Sequence, residues 1–157
     1  MIWTHDSDSA LSLRGCTQHD YEYTHDLHHG NMIDYVDRYW GGWNSEVYAG
    51  DFRPDITWIV EQNDDKAGFF VLAFEHTAHL LNLQIDPAFQ NQGLGTRVVE
   101  RCETGCGRRG YDTLFLEAFL NNPARALYER LGYDTYEVTD SHYMMMKPIK
   151  VASCGAS

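Results

Sequence analysis

An apolar run, a proline stop, a glycine turn and a helical pattern follow one another between residues 80 and 109. This succession limits the folds open to the chain more than any other stretch. Leu80–Ile85 reads as a strand closed by Asp86-Pro87. Gln90-Asn91-Gln92-Gly93-Leu94-Gly95-Thr96 follows, and the spacing predicts a helix from there toward Arg109. Glycines allow close backbone approach and torsion angles that a Cβ forbids. The first turn of a helix carries unpaired N–H groups and the positive end of the dipole, which together suit a phosphate. The Thr96 hydroxyl adds a donor. The turn lacks the third glycine of a dinucleotide fingerprint and the lysine of a P-loop. Gly105 and Gly107 fall inside the expected helix and cost up to about 1 kcal/mol each relative to alanine, so the helix is expected to stop early or fray before Tyr111.

The rest of the chain alternates in kind. Leu11–Arg14 reads as a strand. Asp20–Arg38 has apolar residues three to four apart, giving one or two helices, and Asn44–Phe52 resumes the pattern after Trp40-Gly41-Gly42-Trp43. Arg53-Pro54-Asp55 is a turn. Ile56–Gln62 and Gly68–Glu75 are strands joined by the polar turn Asn63-Asp64-Asp65-Lys66. Thr113–Phe119 is a further strand. Pro123–Leu131 is a short helix ending at Gly132, a residue suited to a left-handed C-cap. Thr135–Thr139 and His142–Lys147 close as strands. The order predicts a mixed α/β domain over residues 1–150 with a tail at 151–157, and its antiparallel first part excludes a plain doubly wound sheet.

The 157 residues suit one domain, and 43% hydrophobic content supplies a core. No apolar run approaches the roughly 20 residues of a membrane span, and Met1–Ala10 shows no secretory pattern, so a cytoplasmic location without membrane attachment is expected. A net charge of -11 argues against nucleic acid as a partner and agrees with a cationic acceptor. Cys16, Cys102, Cys106 and Cys154 form no paired C-x-x-C motif, so no metal is expected. Cys102 and Cys106 share a helix face as free, partly buried thiols.

Gln90, Gly93 and Gly95, set after a strand, resemble the Gln/Arg-x-x-Gly-x-Gly/Ala hallmark of the GNAT acyltransferase superfamily. A second stretch, Asn121-Asn122-Pro123-Ala124-Arg125-Ala126-Leu127-Tyr128-Glu129-Arg130-Leu131-Gly132-Tyr133, is similar to that family's later signature. Its local chemistry agrees: Asn122 suits an N-cap, Pro123 the first helical position, and Ala124, Leu127, Tyr128 and Leu131 share one face. The resemblance is clear over about Gly68–Lys147. It implies the GNAT fold, a central mixed, mostly antiparallel sheet of about seven strands flanked by helices. It also implies acetyl-coenzyme A as acyl donor and a primary amine, on a small molecule or a peptide, as acceptor, with homodimers common among relatives. The strand Leu83-Gln84-Ile85 would hold the pantetheine arm. The amides of Gln90, Asn91, Gln92, Gly93, Leu94, Gly95 and Thr96 would hold the pyrophosphate. Either Asn121 or Asn122, with Ala124, would touch the arm, and Tyr128 would protonate the leaving thiolate.

The base is less fixed. Asn82 and Gln84, the polar side chains of the fourth strand, cannot serve. Glu117 on the next strand is the nearest family-like carboxylate and Glu75 the second choice, while His76, His79 and His142 have a suitable pKa range but read first as surface or hydrogen-bonded residues. Tyr39, Trp40 and Trp43, in a segment resembling one in some uncharacterised relatives, either wall the acceptor site or pack helices on the sheet, and Tyr143 joins them as a lining residue. The missing fourth-strand carboxylate leaves a rival reading, a non-catalytic acyl-coenzyme A-binding module. A plain protein-interaction domain with a chance turn is a third.

Overall fold

The computed structural model describes residues 10–152; residues 1–9 and 153–157, including Cys154, lie outside the described residues. One seven-stranded sheet runs in the order β1-β2-β3-β4-β5-β7-β6. Its strands are β1 (Leu11–Gly15), β2 (Thr57–Gln62), β3 (Asp65–Phe74), β4 (Ala78–Ile85), β5 (Thr113–Phe119), β6 (Asp134–Val138) and β7 (His142–Pro148). All neighbours are antiparallel except β4 and β5. Helices α1 (Tyr21–Trp40) and α2 (Ser45–Asp51) lie between β1 and β2 in the chain, α3 (Leu94–Arg108) between β4 and β5, and α4 (Ala124–Arg130) between β5 and β6. The expected mixed α/β architecture with a mostly antiparallel sheet is the observed one.

The asparagine and aspartate of the β2–β3 turn make it tighter than the sequence pattern implies. Asn63 (φ 51°) and Asp64 (φ 69°) both take left-handed torsions, so the turn needs only two residues and Asp65 and Lys66 join β3. The main core lies between the sheet and α3–α4, where Leu72, Leu80, Leu114, Leu116 and Met145 meet Val98, Val99 and Cys102. A smaller cluster on the other face sets Leu27 of α1 against Ile59 and Phe69. Cys102 and Cys106 are free and wholly buried, not partly so, and burial pushes the Cys106 thiol up to about 12.

The start of α1 is pinned electrostatically. Buried Asp20 accepts from both Nη atoms of Arg14 (3.0 and 2.9 Å), from the Thr17 amide (2.9 Å) and from Lys66 Nζ (3.3 Å). The Arg14 guanidinium holds its carboxyl well below the usual carboxylate range. Residues of β1, β3 and the α1 entry thus converge on one carboxylate, which fixes how α1 leaves the sheet.

Helix α3 does not break at its glycines; it runs through both to Arg108. The reason is a close approach. A Cβ on Gly107 would collide with the Lys150 carbonyl, because residues 149–152 lie against this turn through Ile149 N–H to Asp112 O (2.8 Å) and Ala152 N–H to Gly107 O (3.0 Å). Gly107→Ala gains up to about 1 kcal/mol of helix propensity, but the backbone collision is expected to dominate and lower the unfolding free energy by about 1–3 kcal/mol. Urea denaturation checks this; unchanged or higher stability would show that residues 149–152 do not rest on α3.

Candidate active site

Strands β4 and β5 pair only through Ala78–Leu80 and Leu114–Leu116. Beyond that point β4 continues to Ile85 and β5 to Phe119 with no ladder between them. A bulge in β4 accompanies the parting: Leu72 faces Leu80 and Val71 faces Asn82, so Leu81 is an extra residue. Bulges bend a strand and end regular pairing. The result is a cleft of about 860 Å³ that reaches both sheet faces, with His28, Asn31 and Tyr35 of α1 on one side and Leu94, Leu127 and Tyr128 on the other. Asp86 N–H donates across to Ala67 O on the β3 side (2.8 Å). Backbone groups alternate along a strand, so Leu83 and Ile85 turn theirs to the side β5 has left. The Ile85 carbonyl there takes the side-chain amides of Asn31 (3.0 Å) and Gln90 (2.9 Å).

The glycine turn lies at the mouth of this wedge. Asn91 (φ 63°) and Gly93 (φ 78°) take left-handed torsions, and Gly93 caps α3 with no side-chain hydrogen bond to the helix. By contrast Asn44 caps α2, its Oδ1 accepting from Glu46 and Val47. The opening N–H groups of α3 therefore point outward without a side-chain cap, and Asn91, Gly93, Leu94, Gly95 and Thr96 all line the cleft. A Cβ on Gly93 would meet nothing within 4 Å. Arg130 is the one lysine or arginine among the lining residues. Uncapped donors, a glycine cradle and one cation fit a diphosphate. Gly95 plays another part: its Cβ would come within 3.3 Å of Leu127 Cδ2, so it admits α4 against α3.

Asn122, rather than Asn121, faces this cleft. Its Oδ1 accepts from Ala124 N–H (2.9 Å), and Pro123 already has helical torsions (φ -58°, ψ -18°), as its capping chemistry predicts. Asn121 is left-handed (φ 69°) and turns away to donate to the Tyr39 hydroxyl (3.0 Å). Ala124 and Tyr128 line the cleft, whereas Gln92 does not; its amide donates to Ala88 O (3.4 Å). Tyr128 is buried on α4, and its hydroxyl makes no hydrogen bond to a described residue. Burial, with Cys102 nearby, pushes its phenol well above the usual value, so it keeps its proton.

Glu117 sits just past the part of β5 that pairs with β4, exposed and lining the cleft with His142. Burial lowers the His142 pKa against the pull of the Glu117 charge. Its ring packs 4.1 Å from Phe119 and 5.6 Å from Trp40, and its Nδ1 meets Ser141 Oγ at 2.7 Å. Glu75 does not join them. It sits in the exposed β3–β4 turn, where its carbonyl accepts from Tyr111 (2.6 Å), before the segment in which β4 and β5 pair and so away from the parting. His79 likewise stays outside the lining, and burial lowers its pKa.

Two of the aromatic residues, Tyr39 and Tyr143, lie outside the cleft lining. The Tyr39 hydroxyl donates to Leu120 O (3.2 Å) and its ring stacks on Phe119 (5.8 Å), so it braces α1 on β5 outside the cleft lining. Tyr143 packs against the α3–α4 core, with Arg125 3.8 Å over its ring. Successive strand residues face opposite sides, so its neighbour His142 takes the cleft position. Trp40 lines the cleft, while Trp43 lines a second cavity beside it. Sequence reasoning missed His28 and Asn31. With Asn82 and Gln84 they form a directed chain: Asn31 donates to Gln84 Oε1 (3.1 Å), Gln84 to Asn82 Oδ1 (2.8 Å), and Asn82 to His28 Nδ1 (2.8 Å). The chain needs His28 unprotonated at Nδ1, and burial lowers its pKa to about 4. Only the spacing of three between His28 and Asn31 hinted that they share a helix face.

Residues 18–133 match the acetyltransferase (GNAT) family. Over 104 residues the chain is 31% identical to the ribosomal protein bS18-alanine N-acetyltransferase of Escherichia coli, an alignment covering 64% of this chain and 70% of that protein. The crystal structure of the Escherichia coli enzyme superposes with a TM-score of 0.68 at 24% identity, covering 94% of this chain and 99% of that one. The spermidine N-acetyltransferase of Vibrio cholerae, in complex with CoA and spermine, gives a TM-score of 0.67 at 18% identity, with 90% and 96% covered. At these identities the structural matches establish the fold alone.

Gly93→Val places a branched side chain on a left-handed residue at the cleft mouth. It is expected to weaken coenzyme A binding by roughly tenfold or more, a cost of the 1–3 kcal/mol typical of backbone strain. Titration calorimetry is the check, and undiminished affinity would remove the turn from the binding site.

Proposed function

This chain belongs to the acetyltransferase (GNAT) family and is an acetyl-coenzyme A-dependent N-acetyltransferase; we propose that it acts by direct attack of a primary amine within a ternary complex, with Glu117 as base and Tyr128 as acid. The acyl donor supplies an acetyl thioester. The observation that carries the reading is the placement of these two side chains in one cleft, with Glu117 exposed on β5 and Tyr128 buried on α4. The outward N–H groups of α3 and Arg130 bind the diphosphate, and the open edge at Leu83 pairs with the pantetheine arm, the Ile85 carbonyl being held by Asn31 and Gln90. Asn122 lines the same path.

An alkylammonium has a pKa near 10.4, so the acceptor must lose a proton before it can attack. The Glu117 carboxylate takes that proton, directly or through one water. As the new N–C bond forms and the C–S bond breaks, the Tyr128 hydroxyl gives its proton to the sulfur, while the second proton that the nitrogen sheds on becoming an amide passes to water, from which Tyr128 is reprotonated. The N–H of Ile85 or Leu83, on the open edge, is the donor for the thioester carbonyl oxygen. This reading puts the base on β5, while on β4 Asn82 and Gln84 form the chain that holds α1 to that strand. The acceptor is a primary amine of a small molecule or a peptide, in keeping with relatives that act on a ribosomal protein alanine and on spermidine.

Glu117→Gln is expected to lower kcat by roughly 10²-fold or more, with the melting temperature unchanged because the side chain is exposed. A coupled thiol-release assay reads it, and wild-type turnover would exclude Glu117 as the base. Tyr128→Phe removes one hydroxyl with little change of volume. It is expected to reduce kcat by a comparable factor, on the order of 10², and to leave coenzyme A affinity nearly unchanged. Equal losses in both would point to packing.

A further inference from the structure

Beside the reaction cleft lies a second, partly open cavity of about 600 Å³, lined by α1, α2 and the face of the sheet they cover. The two spaces share four lining residues, His28, Trp40, Leu81 and Asn82. Trp40 is 61% exposed and packs 4.9 Å from Phe119 and 5.6 Å from His142 on the cleft side. Leu81, the bulge residue, is 48% exposed. An acceptor whose amine lies at Glu117 can therefore extend between Trp40 and Leu81 into the second space.

The chemistry of that space is one-sided. Its apolar wall includes Val36, Trp43, Val47, Phe52, Phe69 and Val71. Most of its polar residues, Tyr48 and Asp51 apart, are bonded within the protein. Thr24 Oγ1 donates to Tyr21 O (3.0 Å) and Thr57 Oγ1 to Arg53 O (2.6 Å). Asn44 Oδ1 is taken by two α2 amides, and Arg53 is paired with Asp55 (2.8 Å). His28 Nδ1 accepts from Asn82, and burial keeps the ring neutral at pH 7. Asp51 is the one carboxylate in the lining, and it lies exposed on α2. A polar ligand group would lose its water here and find few free partners, while an apolar group loses nothing. The volume lies within the roughly 300–1,000 Å³ typical of small-molecule pockets.

We propose that this cavity is the acceptor's specificity pocket and that the acceptor is a primary amine carrying an aromatic or branched aliphatic group. The proposal rests on the transferase reading above, since it takes the reacting amine to lie at Glu117. Burying one such group is worth about 10- to 150-fold in selectivity.

The test compares kcat/KM by thiol release for ethylamine, putrescine, 2-phenylethylamine and the tripeptide amide Phe-Ala-Ala. The two aromatic amines are expected to exceed ethylamine and putrescine at least tenfold, and whichever of the pair is faster identifies a free amine or a peptide N-terminus as the source. Val47→Trp fills the cavity from α2, and the aromatic-to-ethylamine ratio is expected to fall toward one. A rise in melting temperature with coenzyme A confirms that the variant is folded. The alcohol 2-phenylethanol, which cannot be acetylated at nitrogen, is expected to inhibit the wild type competitively against the amine. Equal kcat/KM for ethylamine and 2-phenylethylamine, or a preference for putrescine, overturns the pocket assignment and leaves the transferase reading intact. Absence of thiol release with every amine, while coenzyme A still raises the melting temperature, overturns the transferase reading itself.

Discussion

The structure turns on three residue pairs. Parallel pairing of β4 with β5 stops after Ala78–Leu80, where Leu81 bulges out of the β3 ladder. Had pairing continued, the backbone edge of Leu83 and Ile85 would be consumed and no cleft would pass through the sheet. The parting is affordable because other bonds hold the freed strand. Asn31 and Gln90 tie down the Ile85 carbonyl, and the chain from Asn31 through Gln84 and Asn82 to His28 fastens α1 along it.

The two faces of the cleft divide the work. On one, α3 and α4 pack in a dry core that keeps Tyr128 protonated and leaves the start of α3 uncapped. On the other, α1 and the aromatic residues around Phe119 form the wall along which the proposed acceptor would enter. Asp20 contributes from a distance by fixing the angle at which α1 leaves the sheet.

Glycines illustrate how one residue type serves different ends. Gly93 takes a left-handed torsion at an open mouth, Gly95 admits Leu127, and Gly107 admits the Lys150 carbonyl. Propensity alone predicted a frayed α3. The tertiary contact reverses that expectation, because a side chain at Gly107 would exclude residues 149–152.

The sequence by itself determined the strand and helix order, the glycine turn and the Asn122–Tyr128 segment, since each is written in contiguous residues through period, capping and turn chemistry. It did not determine which residues meet across the sheet. Glu75 and Glu117 look alike as strand carboxylates, but only the place where β4 leaves β5 sets one at the cleft and the other in a distant turn. Tyr143 and His142 differ by one position, and strand parity sends the histidine inward. Tyr39 and Trp40 are adjacent on α1, and the packing on Phe119 keeps the first out of the lining and puts the second in it. Such choices depend on contacts between residues far apart in the chain, so only the tertiary structure could make them.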